Sequence, residues 1–274
     1  AMGYTLALRR SKIIALHDCD IKNYERGLLA RLVYPIANPG LSYEFCKGYY
    51  ARVGDKLYGR VTRLFFGPIV RALRRVVGYD NIYLRYLDSF RYPLAGEFSM
   101  TLDLTEAVRI PGDWGLEVGI LSEVFLNTTL KRVCQVELMQ TYEHKHQEVS
   151  RRDPSKGLMR MCIDIAKTLF RMLAQDGVVF PGRFYRVLKV TYLREAYDAV
   201  DKYEAVAALN GVRYDRHEEI SYVEAFAEAL DIATAEFESH PIGVPFLPSW
   251  DRVLAAIPDI QDELLETVRR DNEL

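Results

Sequence analysis

The sequence predicts an α/β protein, with a mixed sheet and flanking helices over residues 1–152 and an all-helical region over 153–274. Three observations carry this expectation. In the first half, short apolar and aromatic runs alternate with segments whose apolar residues recur at helical spacing. After "RRDPSK" the strand-like runs stop and long amphipathic segments take over. The 274 residues, 49% hydrophobic and 27% charged, suffice for a substantial core and have the composition of a globular chain.

The elements follow in order. "KIIAL" reads as a short, fully buried strand of the kind found in parallel sheets. "YERGLLARLVYPIA" has helical spacing and is closed by the turn "NPG". The aromatic-rich "LSYEFCKGYYARV" predicts a strand, followed by the glycine-containing loop "VGDKLYGR". "VTRLFFGPIVRALRRVVG" predicts a helix interrupted near Gly67-Pro68 and ended by a glycine. "FRYPLAGEFSMTLDLTEAVRI" gives a loop, a strand or turn, and a helix start. "WGLEVGILSEVFLNT" is an amphipathic helix, and "RVCQVELMQTYEHKH" is a strand with a polar end. Beyond Asp153, "GLMRMCIDIAKTLFRMLAQDG" and "SYVEAFAEALDIATAEFESH" are long helices, and the C-terminus carries a helical tail.

Several functional classes are disfavoured. A net charge of −2 leaves no electrostatic footprint for nucleic acid. No apolar run reaches the roughly 18 residues that a membrane-spanning helix requires. The four cysteines lie far apart without a CxxC pair, as expected of reduced thiols in a cytoplasmic protein.

Four constellations carry chemistry. Asp18 and Asp20 follow the first strand one residue apart, and on an extended segment such carboxylates face one site. At a strand's C-terminal end they sit where open α/β sheets bind ligands, and hard oxygen donors suit Mg²⁺ or Mn²⁺. A solvated strand end or a helix cap explains the pair equally on pattern alone. His144 and His146 alternate in "TYEHKH", which fits either a metal or phosphate site or polar decoration. Lys56, Arg60, Thr62 and Arg63 surround a glycine ahead of a helix, a cradle for an anion or simply a solvated helix start. Finally, Gly96 permits close backbone approach, while Glu97 and Glu117 are carboxylates among apolar neighbours, free to serve as caps or as site groups.

In this order, "HDCD", "FCKGYYAR", "YGRVTRLFFGP", "PLAGEFSM", "WGLEVGIL" and "TYEHKH" resemble the glucosyl-3-phosphoglycerate synthase family, retaining glycosyltransferases of the GT-A fold. The resemblance spans about Lys12 to Gln147. It implies a Rossmann-like mixed sheet and transfer of a sugar, glucose in the family, from a nucleoside diphosphate sugar to 3-phosphoglycerate. It implies Asp20 and His144 as ligands of Mg²⁺ or Mn²⁺, with Asp18 facing the nucleotide sugar. Arg60 and Thr62 would hold the acceptor's phosphate or carboxylate. Leu94, Ala95 and Gly96 would lie beside the donor sugar, and Glu117 would contact sugar hydroxyls or the acceptor as the catalytic-site carboxylate. Tyr142 and His146 would line the substrate side, at positions where the family has Arg and Asn. The nucleotide-binding segment that precedes this strand in the family has no counterpart here, so the chain is expected to be the C-terminal half of the catalytic domain plus a helical region, inactive alone. A homodimer is expected. Another donor such as GDP-mannose, a lipid phosphate acceptor, or a non-catalytic interaction module remain alternatives.

Overall fold

The structure is a computed structural model and describes residues 1–139 and 153–273. Four strands form one sheet: β1 (Ile13–Leu16), β2 (Phe45–Tyr49), β3 (Phe98–Thr101) and β4 (Val133–Glu137). The first half also holds α1 (Met2–Leu8), α2 (Arg26–Ala37), α3 (Gly67–Val77), α4 (Ile82–Asp88), α5 (Leu102–Ala107) and α6 (Leu116–Asn127). Helices follow: α7 (Gly157–Gln175), α8 (Phe184–Leu209), α9 (Arg216–Ser239), α10 (Trp250–Ala256) and α11 (Ile260–Asn272). The expected class is therefore present, a mixed sheet followed by helices.

The strand order is β1-β3-β2-β4, with β3 antiparallel to both neighbours and β2 parallel to β4. This corrects the reading of "KIIAL". Its four residues are only partly buried, and β1 is antiparallel at the edge of the described sheet. An apolar run fills a strand without saying which way its neighbour runs. Because β3 runs opposite to β1 and β2, the C-terminal ends of those two strands meet the N-terminal end of β3. Leu16 and Lys47 both stand opposite or beside Phe98 at that end.

Strand β2 is covered on both faces. Phe45 belongs to the main core, while Cys46 packs on the other side with Leu28, Leu32 and Tyr50, beneath α2. The main core runs from Phe45 and Phe98 through Phe65 and Ile69 to Phe170, Tyr192 and Phe226, so one cluster spans both sides of Asp153. The Tyr192 hydroxyl donates to the Leu64 carbonyl at 2.9 Å inside it. Helix α8, 26 residues long, is missing from the sequence reading, although its buried residues Phe184, Leu188, Tyr192, Ala196, Ala199 and Val200 recur at three- and four-residue spacing; alanines and Glu195 make up much of that face.

The expected break at Gly67-Pro68 does not occur. Val61–Phe66 forms a π-helical turn that runs directly into α3, and Gly67 keeps right-handed helical angles (φ −58°, ψ −51°). The Gly67 N–H reaches the Thr62 carbonyl five residues back, so the helix absorbs the proline by a change of register.

The same turn anchors the helical region. Arg63, 8% exposed, makes a bidentate pair with Glu219 of α9 at 2.6 and 3.0 Å, and its Nε donates to the Tyr58 carbonyl at 2.9 Å. Removing one member of such a pair leaves a buried charge uncompensated. Glu219→Ala is expected to lower unfolding free energy by about 3–5 kcal/mol in urea denaturation, with Arg63→Met/Glu219→Leu recovering most of it. A loss below about 1 kcal/mol for the single variant would show that the pair behaves as a solvated surface contact.

Candidate active site

The site assembles where three strand ends converge. Beyond β1 the chain turns at Cys19-Asp20, so the two aspartates do not sit on an extended segment as the i, i+2 argument supposed. Both are exposed. The Asp18 backbone N–H donates to Glu97 Oε1 at 3.3 Å, which ties the turn to the start of β3. Gly96 makes room for this: a Cβ there would lie 2.0 Å from Asp18 Oδ1. The expected close approach at Gly96 is thus to the aspartate itself.

Glu97 is fully buried, and its Oε2 accepts from the Tyr50 hydroxyl at 2.9 Å. Ala95, also buried, offers its carbonyl to Lys47 Nζ, and Leu94 is partly buried beside it. Lys47 is 1% exposed and its ammonium lies 5.5 Å from the centre of the Phe98 ring. Glu117 stands in the first turn of α6, after Gly115, as its place between two glycines suggested. Helix α7 backs that loop, with Asp164 Oδ2 accepting from the Trp114 N–H at 3.4 Å.

The charges act on one another. Although Asp18 as a residue is exposed, its carboxyl lies against Gly96 and this desolvation pushes it up to about 6, helped by the negative charges of Glu97, Glu117 and Asp20 and opposed by Lys47. Burial also raises the Glu117 carboxyl, against the stabilising field of Lys47. The Lys47 ammonium is lowered to about 8 by burial, with Glu117, Glu97 and Asp18 holding it up. Three carboxylates thus share one buried cation, and Asp20 adds further negative charge beside Asp18, leaving an excess at an exposed rim.

Sequence reasoning missed Lys47 and Tyr50. The sequence held only a partial signal: Lys47 interrupts the apolar and aromatic run "FCKGYY", which marks it as unusual without saying whether it is buried. His17 was also passed over. Its two ring nitrogens are buried and make no hydrogen bond among the described residues, and Tyr24 packs edge-on against it at 5.5 Å.

Arg60 and Thr62 stand at the start of the π-helical turn, preceded by Gly59 in the left-handed region (φ 73°). They belong to a neighbouring surface, linked to the carboxylates through two tyrosines. Tyr50 stacks on Tyr92 at 5.0 Å, the Tyr92 hydroxyl accepts from Arg52 at 3.1 Å, and that hydroxyl lies against Gly59. Arg60 lies over the Tyr222 ring at 4.4 Å and 3.6 Å from Glu218, both on α9. Tyr142, His144 and His146 lie outside the described residues. Among the described residues no three His, Cys, Asp or Glu side chains are grouped to hold a metal ion, so Asp18 and Asp20 need further donors.

No protein-family model matches the chain. A glucosyl-3-phosphoglycerate synthase of Persephonella marina is 54% identical over 272 residues, covering 99% of this chain and 67% of that protein. The chain belongs to the glucosyl-3-phosphoglycerate synthase family. The synthase of Methanococcoides burtonii is 42% identical over 266 residues, covering 95% of this chain and 64% of that protein. The chain therefore spans about two thirds of the length of these synthase relatives. Among solved structures, the mannosyl-3-phosphoglycerate synthase of Rubrobacter xylanophilus matches with a TM-score of 0.52 and 25% identity, over 66% of this chain and 52% of that one. A glucosyl-3-phosphoglycerate synthase of Mycobacterium tuberculosis, in complex with Mn²⁺, UDP-glucose and phosphoglyceric acid, matches with a TM-score of 0.50 and 26% identity, over 65% of this chain and 54% of that one. The α/β fold expected from the synthase resemblance is the fold found.

Lys47 offers a test of this charge balance. Its folded value lies below the usual lysine range near roughly 10.4, so between pH 8 and about 10 the unfolded chain holds more protons and stability rises with pH. Relative to Lys47→Met, the parent chain should gain stability across that window and show no differential slope below pH 8, measured by urea denaturation at fixed pH values. Parallel profiles would show that the ammonium is solvated.

Proposed function

We propose that this chain carries the metal- and acceptor-binding portion of a retaining glycosyltransferase that moves glucose from a nucleoside diphosphate sugar to 3-phosphoglycerate, with Mg²⁺ or Mn²⁺. Residues 1–152 carry the site and 153–274 form its helical support. The observation that carries this reading is the convergence of Asp18, Gly96, Glu97, Glu117 and Lys47 at one end of the sheet. The 54% identity to a glucosyl synthase favours glucose over mannose as the transferred sugar.

The residues fit a dication. Asp18 and Asp20 present hard oxygen donors at an exposed turn, and the neighbouring carboxylates add to the desolvation that raises the Asp18 carboxyl, a repulsion that a bound cation would offset. Asp20, with Asp18 beside it and His144 as a second protein ligand, would hold Mg²⁺ or Mn²⁺. When bound, the ion supplies Lewis-acid neutralisation of the charge on a departing diphosphate.

The chain's own groups do the rest. The Leu94–Gly96 turn, fixed through the Ala95 carbonyl by Lys47 and covered at Gly96 by Asp18, would lie beside the donor sugar. Glu117, raised by burial, faces the same space and can donate or accept a hydrogen bond at a sugar or acceptor hydroxyl. Arg60 and the Thr62 hydroxyl hold the acceptor anion and so aim its hydroxyl at the anomeric carbon. Tyr142 and His146 complete the substrate side. A same-face displacement, in which the leaving phosphate takes the acceptor's proton, needs no enzymic base, and none is assigned. The functional unit is proposed to be a cytoplasmic homodimer. Among the described residues no helix is long and apolar enough to cross a membrane.

Titration of the 274-residue chain with Mn²⁺ by calorimetry tests the metal assignment. The parent chain should bind, and Asp20→Ala should lose the site while keeping its circular dichroism spectrum. Retention of affinity in Asp20→Ala would sink the assignment.

A further inference from the structure

Two arginines three residues apart, Arg60 and Arg63, meet two adjacent glutamates at the start of α9, Glu218 and Glu219. The two pairs are built differently. Arg63 and Glu219 are each less than 10% exposed and share a bidentate bond, so neither can change partners without stranding a buried charge. Arg60 and Glu218 make one contact of 3.6 Å, with side chains 20% and 42% exposed. That distance is beyond a direct hydrogen bond, and Arg60 donates none among the described residues.

The carboxylate is nonetheless aimed. The Tyr222 hydroxyl donates to Glu218 Oε1, and Asp215 caps the helix by accepting from the Glu218 N–H at 2.9 Å. The Tyr222 ring lies 4.4 Å from the Arg60 guanidinium and so holds it beside the same carboxylate. The locked pair holds α9 against the turn, and the loose pair places one carboxylate 3.6 Å from an arginine that donates no hydrogen bond among the described residues.

We propose that Glu218 tunes acceptor affinity by competing with the acceptor's anionic group for Arg60. An acceptor binds by displacing a weak, exposed carboxylate contact. A phosphate with two negative charges and a bidentate match to guanidinium does this better than a lone carboxylate. The helical region thereby takes part in acceptor binding. This inference rests on the reading of Arg60 as an acceptor residue.

The test is calorimetric titration of the 274-residue chain with 3-phosphoglycerate and with glycerate, for the parent, Glu218→Gln, Arg60→Ala and the double variant. Glu218→Gln should bind 3-phosphoglycerate about two- to fivefold more tightly, the scale of an exposed ion pair. Its gain for glycerate should be smaller, because a ligand that engages Arg60 weakly profits less from removal of the competitor, and neither ligand should gain in the Arg60→Ala background. Glu218→Ala, checked by circular dichroism, should repeat the result if the Gln variant folds poorly. Unchanged or weaker binding in both Glu218 variants overturns the proposal, as does tightening that persists without Arg60, which would be a general charge effect. Equal binding by the parent and Arg60→Ala, or no binding by the parent, overturns the acceptor reading itself and the inference with it.

Discussion

A lysine ammonium enclosed at the end of a sheet can persist only if negative charge and a carbonyl are held close to it, and Lys47 imposes that requirement on everything around it. Its Nζ takes the Ala95 carbonyl, which fixes the turn before β3. Glu97 and Glu117 supply the nearby negative charge from two other elements, and Glu97 in turn holds the Asp18 backbone and the Tyr50 hydroxyl. The positions of the aspartate turn, the Gly96 turn and the start of α6 are therefore linked through one cation. Lys47 cannot neutralise all the carboxylates it organises, and the surplus lies at the exposed Asp18–Asp20 turn. A dication bound there, as proposed, would offset that imbalance.

A second constraint places the Arg60 turn. The π-helical turn keeps the helix continuous through Pro68 and brings Arg63 to Glu219, so the first half of the chain is bolted to α9 by a buried pair. The core confirms the dependence, since Phe65 contacts both Tyr192 and Phe226. The helices beyond Asp153 thus give the Arg60 surface its fixed partners, Glu218 and Tyr222. The tyrosine relay from Glu97 through Tyr50 and Tyr92 to Gly59 ties this surface to the carboxylates.

Much of this was legible in the chain. Helical spacing located α2, α6, α7 and α9, and aromatic and β-branched runs located β2 and β4, because burial of one face imposes a period on the residues. Gly96 and Glu117 stood out because glycine and a lone carboxylate among apolar neighbours each need a local reason. Helix α8 escaped although its buried face repeats at helical spacing, because alanines and Glu195 carry that face alongside Phe184, Leu188 and Tyr192. Lys47 escaped because a lysine in a strand is ordinarily an exposed edge residue, and only burial on both faces makes it a structural cation.

The sequence by itself determined the class of the fold, the family resemblance and most candidate side chains, because these depend on residue type and short-range spacing. Strand direction, the edge position of β1 and the unbroken helix at Pro68 were decided by the tertiary structure, through hydrogen bonds whose partners lie far apart in the chain. So were the burial of Lys47 and the meeting of Arg60 with Glu218, 158 positions on. Charges respond to what surrounds them in space, and no local pattern records that.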